Sequence, residues 1–158
     1  MASVEGARAS YDDLDFEHFF LDLTPHVRLQ GTGSGFPSIA LSPSFDGSRL
    51  LERYATGWGV RRWTPLTLAQ ALVDFKGRIG GSARVVAVAP DLIEIAQTRC
   101  EFGEPRDNEC RGNLCDLCRG VASSITRASG LAGPTQVPRS KGTMAQGYKF
   151  CDFSFPLV

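Results

Sequence analysis

Residues 64–98 read TPLTLAQALVDFKGRIGGSARVVAVAPDLIEIAQT, and this stretch decides the fold. Thr64-Pro65 is a helix start, a cap residue followed by proline at the first helical position. Leu68, Leu72, Phe75 and Ile79 then recur at helical spacing, and Gly80-Gly81 ends the run. Two short strands follow, Ala83–Ala89 and Leu92–Thr98, joined at Pro90-Asp91. Val85, Val86, Val88, Ile93 and Ile95 are β-branched, which favours strand, and the tight connection makes the pair an antiparallel hairpin.

Working outward, Ser10 is placed to cap a helix reaching about Leu23, with Phe16, Phe19, Phe20 and Leu23 on one face and Pro25 as its stop. Residues 29–47 are rich in Gly, Ser and Pro and read as loop, with a short strand at Ser38–Leu41. A short helix is expected over Ser48–Ala55, broken by Gly57-Trp58-Gly59. Beyond the hairpin, residues 100–112 read as a polar loop. A helix from about Leu114 to Ser129 then places Leu114, Leu117, Cys118, Val121 and Ile125 on one face. The last stretch reads as a second hairpin, Thr135–Ala145 and Tyr148–Phe155, with Pro138 on an edge strand. The sum is one α+β domain over 1–158, a mostly antiparallel sheet of two hairpins packed with helices, with residues 1–9 as a loose tail.

Composition limits the function. The chain has 158 residues, with 17 Lys and Arg against 17 Asp and Glu. This balance gives no support to a general attraction to nucleic acid or to an anionic membrane. The first eight residues contain no apolar run of signal-peptide type, and no stretch approaches the length of a membrane helix, so a cytoplasmic location is the expectation. In that setting the five cysteines are reduced thiols, ligands or catalysts before they are disulfides.

Three cysteines, Cys110, Cys115 and Cys118, are spaced C-x4-C-x2-C, with Cys151 further on. That is the ligand spacing of plant-type two-iron ferredoxins, but it requires a loop, and Cys115 to Ser129 scans as helix. A second reading has Gly112-Asn113 cap the helix, so that Cys115 lies in its first turn, where free N–H groups favour a thiolate. Cys118 then falls on the buried face. In Tyr148–Phe155, alternation sets Cys151, Phe153 and Phe155 on one face and Asp152 on the other. Asp152 among aromatics reads either as a proton shuttle or as a solvated carboxylate. Gly31-x-Gly33-x-Gly35 precedes no helix, His18 and His26 stand in no metalloprotease motif, and no G-x-S-x-G element exists. Trp58 and Trp63 flank Arg61-Arg62, which reads as an exposed basic turn.

Three pieces carry a family resemblance: Thr98-Arg99-Cys100 at a strand end, Gly112-Asn113-Leu114-Cys115 opening a helix, and Arg139 to Gly147 leading into Cys151-Asp152-Phe153-Ser154-Phe155. Together they resemble the L-2-amino-thiazoline-4-carboxylic acid hydrolase family over a little more than a third of the chain. A weaker likeness extends to small sensor domains of the vinyl-reductase type. Ser154 stands where the family commonly has Arg, and Cys118 where it has Asp. The resemblance implies a hydrolase that opens a cyclic amidine or thiazoline ring and needs neither cofactor nor metal. Its nucleophile is Cys115 or, as second choice, Cys151, with Asp152 as proton shuttle. Cys100 belongs to the substrate site, and Arg139, Lys141 or Lys149 holds a substrate carboxylate. The non-enzyme alternatives are a small-molecule or metal-binding sensor module and an iron–sulfur carrier. An exposed edge on an antiparallel sheet permits a homodimer.

Overall fold

The computed structural model describes residues 16–30, 38–42, 44–100, 108–133, 136–140, 142–144 and 148–158. Helix α1 spans Phe16–Leu23 and passes through a single 3-10 turn at Thr24–His26 into strand β1, Val27–Gln30. Strand β2, Ser38–Leu41, pairs antiparallel with β1, Val27 opposite Leu41 and Gln30 opposite Ser38. Helices α2, Ser48–Trp58, and α3, Pro65–Arg78, follow. Then come β3, Ser82–Ala89, β4, Leu92–Arg99, the long helix α4, Asn108–Ala128, and β5, Cys151–Pro156. The main sheet has the order β3-β4-β5, antiparallel throughout. The fold is α+β, as the sequence indicates.

The start of α3 shows why the local reading works. Thr64 Oγ1 accepts the Thr67 N–H at 3.2 Å while the Thr67 hydroxyl oxygen accepts the Thr64 N–H at 2.9 Å. This reciprocal cap satisfies two donors that a helix start otherwise leaves free. At the other end Gly80 takes φ 98°, a left-handed turn open to glycine. Leu68, Ala69, Leu72, Phe75 and Ile79 are buried from this helix, which lies against β3 and β4. Phe75 meets Phe19 of α1 edge-on at 4.8 Å.

The core face of the sheet carries Ile93, Ile95, Cys151, Phe153 and Phe155, all buried, in strict alternation. Helix α4 contributes Leu117, Val121, Ala122 and Ile125 and packs on α2 and on β2. Its contact with α2 is close at Gly47. A Cβ there would stand 2.7 Å from the Ile125 nitrogen and 2.7 Å from the Ser124 carbonyl carbon, so only glycine fits. The Gly47 N–H donates to Ser124 Oγ at 3.1 Å, which ties the two helices. Tyr54 of α2, fully buried, donates its hydroxyl to Asp74 of α3 at 2.8 Å, and Arg78 Nε meets the same carboxylate oxygen at 2.7 Å.

Four details depart from the sequence reading. Strand β1 runs over Val27–Gln30 and reaches into the stretch from residue 29 that reads as loop. Helix α2 runs on to Trp58, where Gly59 at φ 66° closes it. Helix α4 begins at Asn108, inside the expected polar loop. The second hairpin is reduced, among the described residues, to one strand: β5 meets the preceding segment through the Arg139–Ser154 bridge and through the Asp152 N–H to the Gly142 carbonyl at 3.1 Å. Pro138 lacks an N–H to extend that pairing. The expected tail, the Ser10 cap and the Gly31–Gly35 motif lie outside the described residues.

Candidate functional site

The chemistry-bearing pair in the interior is Lys76 with Cys118. Lys76 lies on the apolar face of α3, four residues after Leu72 and three before Ile79, so it leaves the helix into the space between α3, α4 and the sheet. There its Nζ donates to Cys118 Sγ of α4 at 2.6 Å. Both residues are half-buried. Two apolar clefts meet at the pair. One runs toward the sheet between Leu72, Ala83, Ile95, Phe153 and Phe155, with a volume of about 20 Å³. The other runs toward α1 between Phe19, Leu23, Phe75, Ile79 and Val121, at about 10 Å³. Each has room for about one water-sized molecule.

The residues singled out from sequence are placed as follows. Cys151 is buried on the core face of β5, where its sulfur accepts the Met144 N–H at 3.1 Å. Asp152 is half-buried on the opposite face of the same strand, in register with Ala96. Neighbours on one strand point apart, so the thiol and the carboxylate do not face one substrate. Cys100 is half-buried just past the end of β4. Arg139 is exposed and bridges Ser154 through its backbone. Lys149 is exposed, and Lys141 lies outside the described residues. Cys115 sits two turns inside α4, away from the free N–H groups of the first turn. The activation expected from a helix start at Asn113 is therefore withdrawn. Cys110, Cys115 and Cys118 share one continuous helix, where the ferredoxin spacing requires a loop.

A wetter cleft of about 410 Å³ opens between α1 and α2, lined by Asp22, His26, Asp46, Arg49 and Arg53 among others. His26 Nδ1 lies 2.7 Å from Ser44 Oγ at its rim. Asp46 accepts the Ser48 N–H at 2.9 Å; hydrogen bonds from the Ser48 side chain and backbone hold its carboxyl below the usual carboxylate range. The cleft carries both signs of charge side by side, Asp22 and Arg53 at 3.8 Å, so it selects neither anion nor cation.

Comparison with known proteins gives no family model that matches the chain and no match among curated proteins. Among solved structures, the fold is similar to that of a trafficking protein particle complex subunit 3 from Naegleria fowleri, covalently bound to palmitic acid. The TM-score is 0.52 at 16% identity, over 71% of this chain and 73% of that one. The likeness is one of fold.

These findings overturn the hydrolase expectation. The resemblance to the aminothiazoline hydrolases rested on short cysteine-containing pieces, and the architecture that carries them is shared with a trafficking subunit. The ring-opening activity, its small-molecule substrate, and the sensor and iron–sulfur alternatives all lose their support. Among the described residues no helix is long and apolar enough to cross a membrane. Lys76 escaped the sequence reading. Its signal was present as a single charge in the apolar stripe of α3, but nothing local says that its partner stands 42 residues away.

Proposed function

We propose that the chain is a non-catalytic subunit of a multi-protein trafficking particle, acting in the cytoplasm by binding protein partners. The observation that carries this reading is the exposed strand β3, in a fold similar to a subunit of such a particle. Val85, Val86 and Val88 are 36%, 56% and 37% exposed along it, with Arg84 as the strand's one charge. Such an edge ordinarily carries charges or a cover. An extra residue, Val86, bulges between Val85 and Ala87, which discourages direct strand addition and leaves the valines as an apolar contact surface.

A covalently bound palmitic acid, as on the neighbour, is not part of this proposal. The clefts beside Cys118 hold about one water each, and a long acyl chain enters only if α3 and α4 part.

The test is binding to an identified trafficking-particle subunit, measured by calorimetry with the wild-type chain and with Val86→Asp. An exposed position tolerates the charge, so the melting temperature is expected to stay put. Affinity is expected to fall at least tenfold. Equal affinity for both proteins removes β3 from the interface, and binding to no such subunit overturns the reading. Self-association through β3 is a distinct outcome, seen as a homodimer that the same substitution dissolves.

A further inference from the structure

We propose that Lys76 and Cys118 form a covalent bridge through one oxygen atom, Nζ–O–Sγ, which ties α3 to α4 under oxidising conditions and is cleaved by thiols. This goes beyond the assembly role and does not depend on it. The first argument is distance. Nitrogen and sulfur stand 2.6 Å apart. The hydrogen bond that joins them already sets the separation of a one-atom bridge, and this distance asks for no movement of either helix. It is far too long for a direct nitrogen–sulfur bond. A single oxygen bonded to both atoms holds them at this separation.

The second argument is enforcement. The two residues come from different helices, 42 positions apart in sequence. Each is flanked by core side chains: Leu72, Phe75 and Ile79 around Lys76, Leu117 and Val121 around Cys118. Close packing on both sides keeps the pair together, so the Lys76 amine is the first group that an oxidised Cys118 meets.

The third argument is selection by size. The clefts that meet at the pair, about 20 Å³ and about 10 Å³, admit a molecule the size of water. Hydrogen peroxide is the oxidant nearest that size, and a thiol reductant reaches the bridge through the exposed part of the half-buried pair. The chemistry balances with hydrogen peroxide as the named oxidant. One peroxide converts the thiol to a sulfenic acid and releases water. The neutral amine, the sulfenic acid and a second peroxide then give the N–O–S bridge and two waters. The amine loses one hydrogen, the sulfenic acid its acidic proton, and the peroxide O–O bond takes up the two electrons. A thiol reductant reverses the process in two-electron steps, returning the free amine and thiol.

The experiment is intact-mass and peptide mass spectrometry of the full chain, before and after dilute hydrogen peroxide, with and without dithiothreitol. The expected product has gained one oxygen and lost two hydrogens relative to the reduced chain. Digestion yields a cross-linked peptide pair containing Lys76 and Cys118, and dithiothreitol removes it. Melting falls by several degrees on reduction, as for any broken cross-link between distant positions. Lys76→Arg and Cys118→Ser each abolish the cross-linked peptide. Loss of two hydrogens without the oxygen identifies a disulfide or a direct nitrogen–sulfur sulfenamide, and either overturns the proposal. So does a Cys118 sulfinic acid with a free Lys76 amine, or a Cys118 left untouched. The decisive readout is the wild-type chain, so a variant that fails to fold does not spare the proposal.

Discussion

Helices α3 and α4 face each other across the same interior, yet they are specified in different ways. Helix α3 declares itself locally: a Thr-Pro start, a reciprocal Thr64–Thr67 cap, an apolar stripe and a Gly80 stop. Helix α4 has no such signal at its start. Asn108-Glu109-Cys110-Arg111-Gly112-Asn113 is polar and contains glycine, and local propensity favours loop or cap there. The helix nevertheless runs through it. The difference separates structure written in adjacent residues from structure imposed by the body of the fold. It also bears on function, because the reading of Cys115 as a helix-start thiolate depended on where α4 begins.

The sharpest way to break this comparison is a proline at Asn113. The structure places Asn113 beyond the first turn of α4, where proline removes a ladder bond and clashes with the preceding turn. A cost of about 3 kcal/mol is expected. Had the helix begun after Asn113, the substitution would remove only a cap, at about 1 kcal/mol. Urea unfolding followed by circular dichroism distinguishes the two, and the smaller value restores Cys115 to a helix start.

A second test concerns the contact between α2 and α4. Gly47→Ala forces a methyl against the backbone at Ser124 and Ile125, and backbone cannot swing aside as a side chain does. Destabilisation of about 1–3 kcal/mol is expected, read as a shift in the denaturant midpoint. No shift means that the helices are not in close contact. The smallest effect belongs to α3. Thr64→Ala removes the cap on both Thr67 groups and costs about 1 kcal/mol. Ser at the same position retains most of the stability, and an equal loss from Ser and Ala argues against the cap.

The same contrast explains what was legible. Helix α3 and the β3–β4 hairpin were plain because each carries both its pattern and its punctuation within a few residues. Strand β1 was missed because Val27–Gln30 is short and makes sense only opposite Ser38–Leu41. Among the described residues, the expected strand before β5 shows as the Arg139–Ser154 bridge and the Asp152–Gly142 bond, beside a Pro138 that offers no donor. The interior pair was half legible. Cys118 was expected on the buried face of its helix, and it is half-buried there. Lys76 was passed over because its meaning comes from a thiol on another helix. The cysteine spacings misled for the complementary reason: C-x4-C-x2-C has meaning in a loop, and in α4 it is a feature of one continuous helix. Cys151 and Asp152 show a third limit. Strand alternation correctly set them on opposite faces, and that placement itself argues against a shared task.

Beside Lys76 and Cys118 the clefts are the size of a water molecule, whereas β3 leaves valines in the open. The proposed function rests on that surface. The direct test is native mass spectrometry of the tagged full-length chain, isolated under non-denaturing conditions. The account predicts an assembly of fixed stoichiometry that contains at least one identified trafficking-particle subunit and that Val86→Asp disrupts. The tagged chain recovered alone, at the mass of its monomer, contradicts it.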